Sequence, residues 1–174
     1  MVELAASYVA GKWAAGALAE TVEVTSPATG QVVGAIGVAG AEEVDAAVVA
    51  ARAALVTWRQ VSPADRGAAL GRLADALTAR KGELADLATA EIGSPRSWST
   101  FGQVLTATGV LKAYAAIAPE YPFTATRPSM TGGTVEVRQV PVGVVGAIVP
   151  LSHLTFRSVA LATAVSAGRT ASTP

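Results

Sequence analysis

Few side chains in this sequence are able to do covalent or acid/base chemistry. Cysteine is absent and histidine occurs once, as His153. The chain therefore offers no thiolate nucleophile, no disulfide and no cysteine or histidine metal cluster, and no metal site is expected. His153 follows a strand-like run, where a general base could project. No acid lies between Glu136 and Pro174 to orient its imidazole locally, so it reads as a loop histidine without a role. Glu91 and Glu120 fall at helix or loop ends with no second acid spaced to make an acid/base pair, and both read as surface charges. Trp13, Trp58 and Trp98 are scattered over a strand end, a helix end and a turn, a distribution that suits packing anchors better than a binding platform. Gly143-Val-Val-Gly146 is not the phosphate-cradling G-x-G-x-x-G pattern.

Bulk properties narrow the classes further. Lys plus Arg and Asp plus Glu are both 13, without a basic run or an aromatic-studded basic stripe, so nucleic acid is excluded as a partner. Apolar residues make up 51% of the 174, which rules out wholesale disorder. Much of that fraction is alanine, so closely packed helices are its natural use. The start, Met1-Val-Glu-Leu4, lacks a signal-like charged and apolar pattern, and no stretch reaches the roughly 18 apolar residues of a membrane span. No membrane partner is expected, and the expected compartment is the cytoplasm.

The elements that must position any site follow from periodicity. Tyr8 to Trp13, Val22 to Thr25 and Gln31 to Ile36 read as short strands, the last two joined by a turn at Ser26-Pro-Ala-Thr-Gly30, suggesting a small antiparallel sheet. From Ala41 the period becomes helical, with Val44, Val48, Ala51, Leu55 and Trp58 on one face and Glu42, Glu43 and Asp45 at the start. Ser62-Pro-Ala-Asp65 supplies an N-cap and a first-turn proline for a helix with Leu70, Leu73 and Leu77 inward. Gly82 breaks the pattern before Leu84, Leu87 and Ala88 resume it, so two helices or one kinked helix would fit, ending at Ile92-Gly-Ser-Pro95. A further helix runs through Val104, Thr108, Leu111 and Tyr114 to about Ala118.

Pro119 to Gly133, with three prolines and a Gly-Gly pair, reads as a connector. Thr134-Val-Glu-Val-Arg138 alternates, as a strand with one wet face does. Val142 to Val149 is apolar without alternation, the pattern of a central parallel strand covered on both faces, and Pro150 ends it. Phe156 to Ala167 could form the crossover helix, stopped by Gly168, with no second parallel strand after it. The chain reads as the front piece of a larger α/β enzyme.

Four phrases in this order resemble the amino-terminal part of the NAD(P)-dependent aldehyde dehydrogenase family. They are Tyr8-Val-Ala-Gly-Lys-Trp13, Ser26-Pro-Ala-Thr-Gly30, the Trp58-to-Arg66 joint, and Pro141-Val-Gly-Val-Val-Gly-Ala-Ile-Val-Pro150. The resemblance implies an α/β fold comprising the amino-terminal strands and helices of an aldehyde dehydrogenase-like nucleotide-binding domain with an incomplete parallel sheet. Residues 1–122 would pack on that domain, 123–141 would be a connector and oligomerisation-type strand, and 142–174 would be the first strand and helix of the sheet.

It further implies a cofactor, NAD or NADP, whose adenine-ribose side would lie against Ile148, Val149, Pro150 and Leu151; the alternative for these residues is a plain buried strand. In that family a thiolate attacks the aldehyde, hydride passes to the nicotinamide, and an activated water hydrolyses the thioester. The cysteine and glutamate that do this belong to a part of the family's sequence beyond the matched stretch. The family's Trp-Asn pair after the strand-end proline, whose asparagine helps hold the oxyanion, is replaced here by Leu151 and Ser152, so Ser152 stands at the oxyanion position with a shorter, freely rotating donor.

Three functions remain open at this stage. The first is an aldehyde dehydrogenase-like oxidoreductase segment, truncated or degenerate and inactive as this chain alone, with an aldehyde as substrate only in the complete family enzyme. The second is a non-catalytic interaction module that pairs its strand Thr134 to Val140 with a copy of itself or with a full-length relative, as the resemblance to the family's oligomerisation strand implies; an ordinary edge strand is the alternative. A free-standing dinucleotide binder ranks last, because it needs a finished βαβ unit.

Overall fold

The computed structural model describes residues 2–4, 7–14 and 20–147. The predicted strand Tyr8 to Trp13 is two strands. β2 (Ser7–Val9) and β3 (Lys12–Ala14), which follow β1 (Val2–Leu4), form an antiparallel hairpin with Tyr8 opposite Trp13. It reverses at Ala10 and Gly11, with φ of 53° and 80°, the left-handed pair that a two-residue mirror-type turn requires. Ala10 gives no sequence signal of such a turn, which is why the run reads as one strand.

β4 (Glu20–Thr25) and β5 (Val32–Val38) pair antiparallel as expected, and β1 adds in parallel on the other edge of β5, giving the order β1-β5-β4. Their connection is a tight loop in which buried Ser26 donates its N–H to Gln31 O at 2.9 Å and accepts the Gly30 N–H at 2.8 Å.

α1 (Ala41–Trp58) begins with the Glu43 carboxylate accepting the Gly40 N–H at 2.9 Å, beside Glu42 at the positive helix end. Of the predicted inward stripe, Val48, Ala51, Leu55 and Trp58 are half-buried, while Val44 is exposed. α2 (Pro63–Ala79) starts as the sequence indicates: the Ser62 hydroxyl accepts the Asp65 N–H at 3.1 Å, and Pro63 occupies the first helical position. Of the predicted inward leucines, Leu70 is buried and Leu77 packs against the core, whereas Leu73 is exposed; Gly67 and Ala74 complete the inner face. Small residues face inward because the helix packs close to a neighbour: a Cβ on Gly67 would sit 2.7 Å from Ala115 O.

The chain breaks at Arg80 and resumes as α3 (Lys81–Ile92), so the two-helix alternative is the one adopted. Gly93 stops α3 in the left-handed conformation, φ 68°, as the Ile92-Gly-Ser-Pro95 pattern indicates. A Cβ there would also meet Pro27 Cγ at 2.8 Å, so the two turn phrases that flank the helices touch each other.

The next helix is composite. A single turn, α4 (Arg96–Trp98), continues into a π-helical stretch, Ser99–Leu105, and then α5 (Thr106–Ile117). Thr106 gives Phe101 O both its backbone N–H and its Oγ1 hydroxyl, the latter at 3.0 Å, across the widened turn. α2 and α5 enclose the core of Leu70, Ala74, Ala107 and Leu111, flanked by Leu77 and Ala115.

The predicted connector contains a strand, β6 (Thr124–Pro128), paired antiparallel with β7 (Thr134–Arg138). β7 has the bounds its alternation indicates; β6 lacks that signal because only Ala125 on it is half-buried. Residues 141–147 belong to no strand, and Val142, Val144 and Val145 are 64%, 41% and 45% exposed. The expected central strand therefore does not form over its first six residues: a strand apolar on both faces needs partners on both sides, and none stands beside it among the described residues. Ile148 and Val149, and the predicted helix Phe156 to Ala167, lie outside the described residues.

Candidate functional site

The two surfaces singled out from sequence are the strand-end region at Ile148 to Ser152 and the strand Thr134 to Val140. Ile148, Val149, Pro150, Leu151 and Ser152, like His153, lie outside the described residues. The segment leading to them is exposed and unpaired, so the described residues build no dinucleotide site at the carboxyl end of a parallel sheet. Glu91 and Glu120 are exposed, as expected of solvated charges. Among the described residues no three acids or imidazoles converge on a possible metal position.

The segment Thr134 to Val140 lies within the described residues, and its strand, β7, ends at Arg138. Its hairpin is tied to the helical layer through Phe123, at the base of β6. The Arg66 guanidinium lies 5.3 Å from the Phe123 ring centroid, a cation–π contact, and Tyr121 meets that ring edge-on at 4.8 Å. Arg66 Nη1 donates to Val61 O at 2.7 Å, whereas its buried Nε finds no acceptor among the described residues. Gln139 closes the base by donating its N–H to Phe123 O at 2.7 Å, and at the tip Ser129 N–H donates to Gly133 O at 3.1 Å.

These two bonds fix the phase of the ladder. Phe123 with Gln139 and Ser129 with Gly133 are hydrogen-bonded pairs in the same register as Ala125 with Val137 and Arg127 with Val135. The alternation of an antiparallel ladder then turns the backbone groups of Thr134, Glu136 and Arg138 away from β6. They form the outer edge of a two-stranded sheet. The same alternation puts Thr124, Thr126 and Pro128 on the opposite edge, where Pro128 has no N–H to offer. On the wet face Glu136 and Arg138 form an ion pair, their side chains 49% and 70% exposed.

A second polar cluster lies at the start of the composite helix. Ser94 Oγ is 2.5 Å from Ser99 Oγ, Thr89 Oγ1 is 3.0 Å from Ser99 Oγ, and Thr89 donates to Ala85 O at 2.9 Å. Thr89, Ser99 and Ser94 thus form a continuous chain of hydroxyls anchored on Ala85 O. Ser99 is fully buried, so the chain of hydroxyls fastens α3 to the π-helical stretch and presents nothing to a ligand. Nearby Gln103 is buried with Oε1 unpartnered.

The tryptophans correct the sequence reading in part. Trp58 is half-buried, but Trp13 and Trp98 are 61% and 56% exposed. Trp13 packs edge-on against Tyr8 at 5.1 Å. Trp98 lies over its own helix, where a Cβ on Gly102 would come within 2.6 Å of the indole. Among the described residues charge perturbation is confined to the surface: Arg80 hydrogen-bonds Glu83 and holds its carboxyl below the usual carboxylate range, and Asp86 raises Arg96 in the same manner. Among the described residues nothing resembles the buried, mutually perturbed pair of an acid/base catalyst.

Comparison with known proteins supplies what the described geometry does not. The model of the aldehyde dehydrogenase family matches residues 13–171. The geranial dehydrogenase of Castellaniella defragrans is 32% identical over 92% of this chain and 34% of its own length. The alpha-ketoglutarate semialdehyde dehydrogenase of Haloferax volcanii is 33% identical over 98% of this chain and 36% of its own. Among solved structures, the aldehyde dehydrogenase of Mycobacterium tuberculosis complexed with NAD+ superposes with a TM-score of 0.88 at 35% identity, over 96% of this chain and 35% of that one. The chain thus spans about a third of the length of these relatives.

Proposed function

The chain belongs to the aldehyde dehydrogenase family, and from that premise we propose that it serves as the amino-terminal scaffold of an NAD(P)-dependent, aldehyde-oxidising enzyme without catalysing the reaction by itself. The observation that carries this reading is the family match over residues 13–171 in a sequence that holds no cysteine. A family whose chemistry begins with a thiolate adding to an aldehyde cannot begin it from these residues. The helices and small sheets of residues 1–122 would pack on a nucleotide-binding domain, 123–141 would present the hairpin, and 142–174 would start the sheet that holds NAD or NADP. Ile148, Val149, Pro150 and Leu151 would line the dinucleotide. Ser152 would stand at the oxyanion position with a weakened donor. No described helix is long and apolar enough to cross a membrane, which supports a cytoplasmic setting.

Two measurements test this. The purified chain, mixed with an aldehyde and NAD, is expected to form no NADH and to give no calorimetric NAD binding; turnover would overturn the scaffold reading. A chimaera in which this chain replaces the matching third of the Haloferax volcanii enzyme is expected to fold and to oxidise alpha-ketoglutarate semialdehyde slowly. In it Ser152→Asn should raise kcat, by up to ~10²–10³ if a full oxyanion donor is restored. A chimaera that folds but is indifferent to Ser152→Asn removes the oxyanion assignment.

A second reading is favoured by the open outer edge of β7. The strand Thr134 to Val140 would serve as a pairing surface for another chain, as the second of the sequence-based possibilities holds.

A further inference from the structure

The π-helical stretch Ser99–Leu105 inverts the usual polarity of a helix. Gln103 is 4% exposed and Ser99 0%, whereas Phe101 between them is 69% exposed and Trp98 beside them 56%. A polar pair faces in and an aromatic pair faces out, the reverse of what burial favours. The widened turn is the local cause. In an α-helix, at about 100° per residue, Val104 would lie roughly 140° round from Ser99 and leave the core. Bonding across five residues, as from the Thr106 N–H to Phe101 O, brings Ser99, Gln103 and Val104 inward together, and all three are buried.

Gln103 Oε1 is buried and has no hydrogen-bond partner among the described residues. The hydroxyls nearest in sequence are committed elsewhere: Thr106 Oγ1 donates to Phe101 O and Thr108 Oγ1 to Leu105 O, each at 3.0 Å. Those of Thr89, Ser94 and Ser99 belong to the chain anchored on Ala85 O. A buried acceptor without a donor forfeits the hydrogen bond it makes to water in the unfolded chain, which is why such groups in folded proteins hold a partner.

We propose that the widened turn at Ser99–Leu105 is a binding site for a single internal water molecule. The water donates one proton to Gln103 Oε1 and the other to a main-chain carbonyl of the same turn, where each carbonyl oxygen has a second lone pair. Size and charge select the ligand. Gln103 is covered by the protein on nearly every side, so only a very small molecule fits. Among the described residues no carboxylate is buried, and Glu83 and Asp86 on α3 are exposed and paired with Arg80 and Arg96. A cation there would find no countercharge, and a neutral donor needs none. Water also serves either orientation of the amide, as donor to Oε1 or as acceptor from Nε2. It fastens the inside of the turn as Thr106 fastens Phe101 O. The site does not depend on the scaffold role proposed above.

Nuclear magnetic resonance on the full chain tests this. A water-selective NOE spectrum is expected to show, at the Gln103 side-chain amide, a cross-peak of the sign that marks a long-lived bound water. The amides of Gln31 and Gln60, both exposed, are expected to show none. Gln103→Met removes the orphan acceptor and expels the water, so it should delete that cross-peak and leave the melting temperature no lower than that of the parent. If Gln103→Met does not fold, correlations from backbone to side chain assign the amide in the unaltered chain and the spectrum still decides. The melting temperature is further expected to be the same in potassium, ammonium and lithium chloride at equal ionic strength. An assigned Gln103 amide with no bound-water signal, or with a protein donor against it, overturns the site. Stabilisation specific to potassium or ammonium would show a cation in place of the water and overturns it equally.

Discussion

Gly67 and Gly71 lie four residues apart in α2, and the structure assigns them opposite responses to the same substitution. Glycine within a helix costs about 1 kcal/mol relative to alanine, so alanine should stabilise wherever space allows. At Gly71 a Cβ meets nothing within 4 Å, and Gly71→Ala should gain roughly 0.5–1 kcal/mol. At Gly67 the same atom would sit 2.7 Å from Ala115 O and 3.2 Å from Ala118 Cβ. The first of these is backbone of α5 and cannot turn aside, so α2 and α5 must separate beside Leu70 and Leu111. Overpacking of this kind costs about 1–3 kcal/mol, leaving Gly67→Ala destabilised by up to ~2 kcal/mol after the helix gain. At roughly 2–4 °C per kcal/mol for a chain of this size, Gly71→Ala should raise Tm by about 1–4 °C and Gly67→Ala should lower it by up to ~8 °C. Thermal unfolding followed by far-ultraviolet circular dichroism reads both. If Gly67→Ala matches Gly71→Ala, the close approach of α2 and α5 is not a real constraint and the account of the small-residue face of α2 fails.

Gly93→Ala should lower the urea midpoint, since a left-handed residue with a Cβ costs ~1–2 kcal/mol and the Cβ would also press on Pro27 at 2.8 Å; an unchanged midpoint refutes this. Ser99→Ala removes the centre of the Ser94, Ser99 and Thr89 hydroxyl chain and should cost about 1–3 kcal/mol, whereas Ser129→Ala in the exposed hairpin turn should be nearly silent; equal effects would show that the buried chain contributes nothing. The Glu83 carboxyl, held low chiefly by the hydrogen bond from Arg80, has a folded value below its unfolded one. Its contribution is present above the unfolded value and lost as pH falls through the folded one. Arg80→Ala should move the Glu83 titration, followed by NMR, back up toward the ordinary carboxylate range, and added salt should shrink the difference; an unmoved titration sinks the assignment.

What the sequence disclosed was set by how local the cause is. The caps of α2 and α3 are written in Ser62, Pro63, Asp65 and Gly93, and the structure has them where those residues stand. β7 is legible because Val135 and Val137 alternate with Glu136 and Arg138. The hairpin turn at Ala10 and Gly11 was hidden because Ala10 holds a positive φ that alanine does not advertise. β6 was hidden because its strand character comes from pairing with β7, not from its own alternation. The inner face of α2 was misread at Leu73 because the distance to α5, not hydrophobicity, decides that small residues face inward. The candidate site divided in the same manner: the strand over Thr134 to Arg138 was legible, though not its extension to Val140, and its free edge depends on bonds at Phe123 and Ser129 that no local pattern contains.

Several buried or half-buried polar groups of the described residues fasten one element to another. Ser99 ties α3 to the composite helix, Arg66 ties α2 to the hairpin through Phe123, and Thr106 closes the π turn. Val142 to Val145, which lies in no strand, is exposed and carries no charge, so it can bury area against many partners but has no means of selecting a register. β7 has such a means in Glu136 and Arg138. If β7 serves as the pairing surface proposed above, the expected outcome is a division of labour, in which the apolar segment favours association in general and the charged edge decides which association forms. Val144→Thr should then change how much of the chain stays in solution while leaving the size of the soluble species alone, and charge reversal on β7 should do the converse.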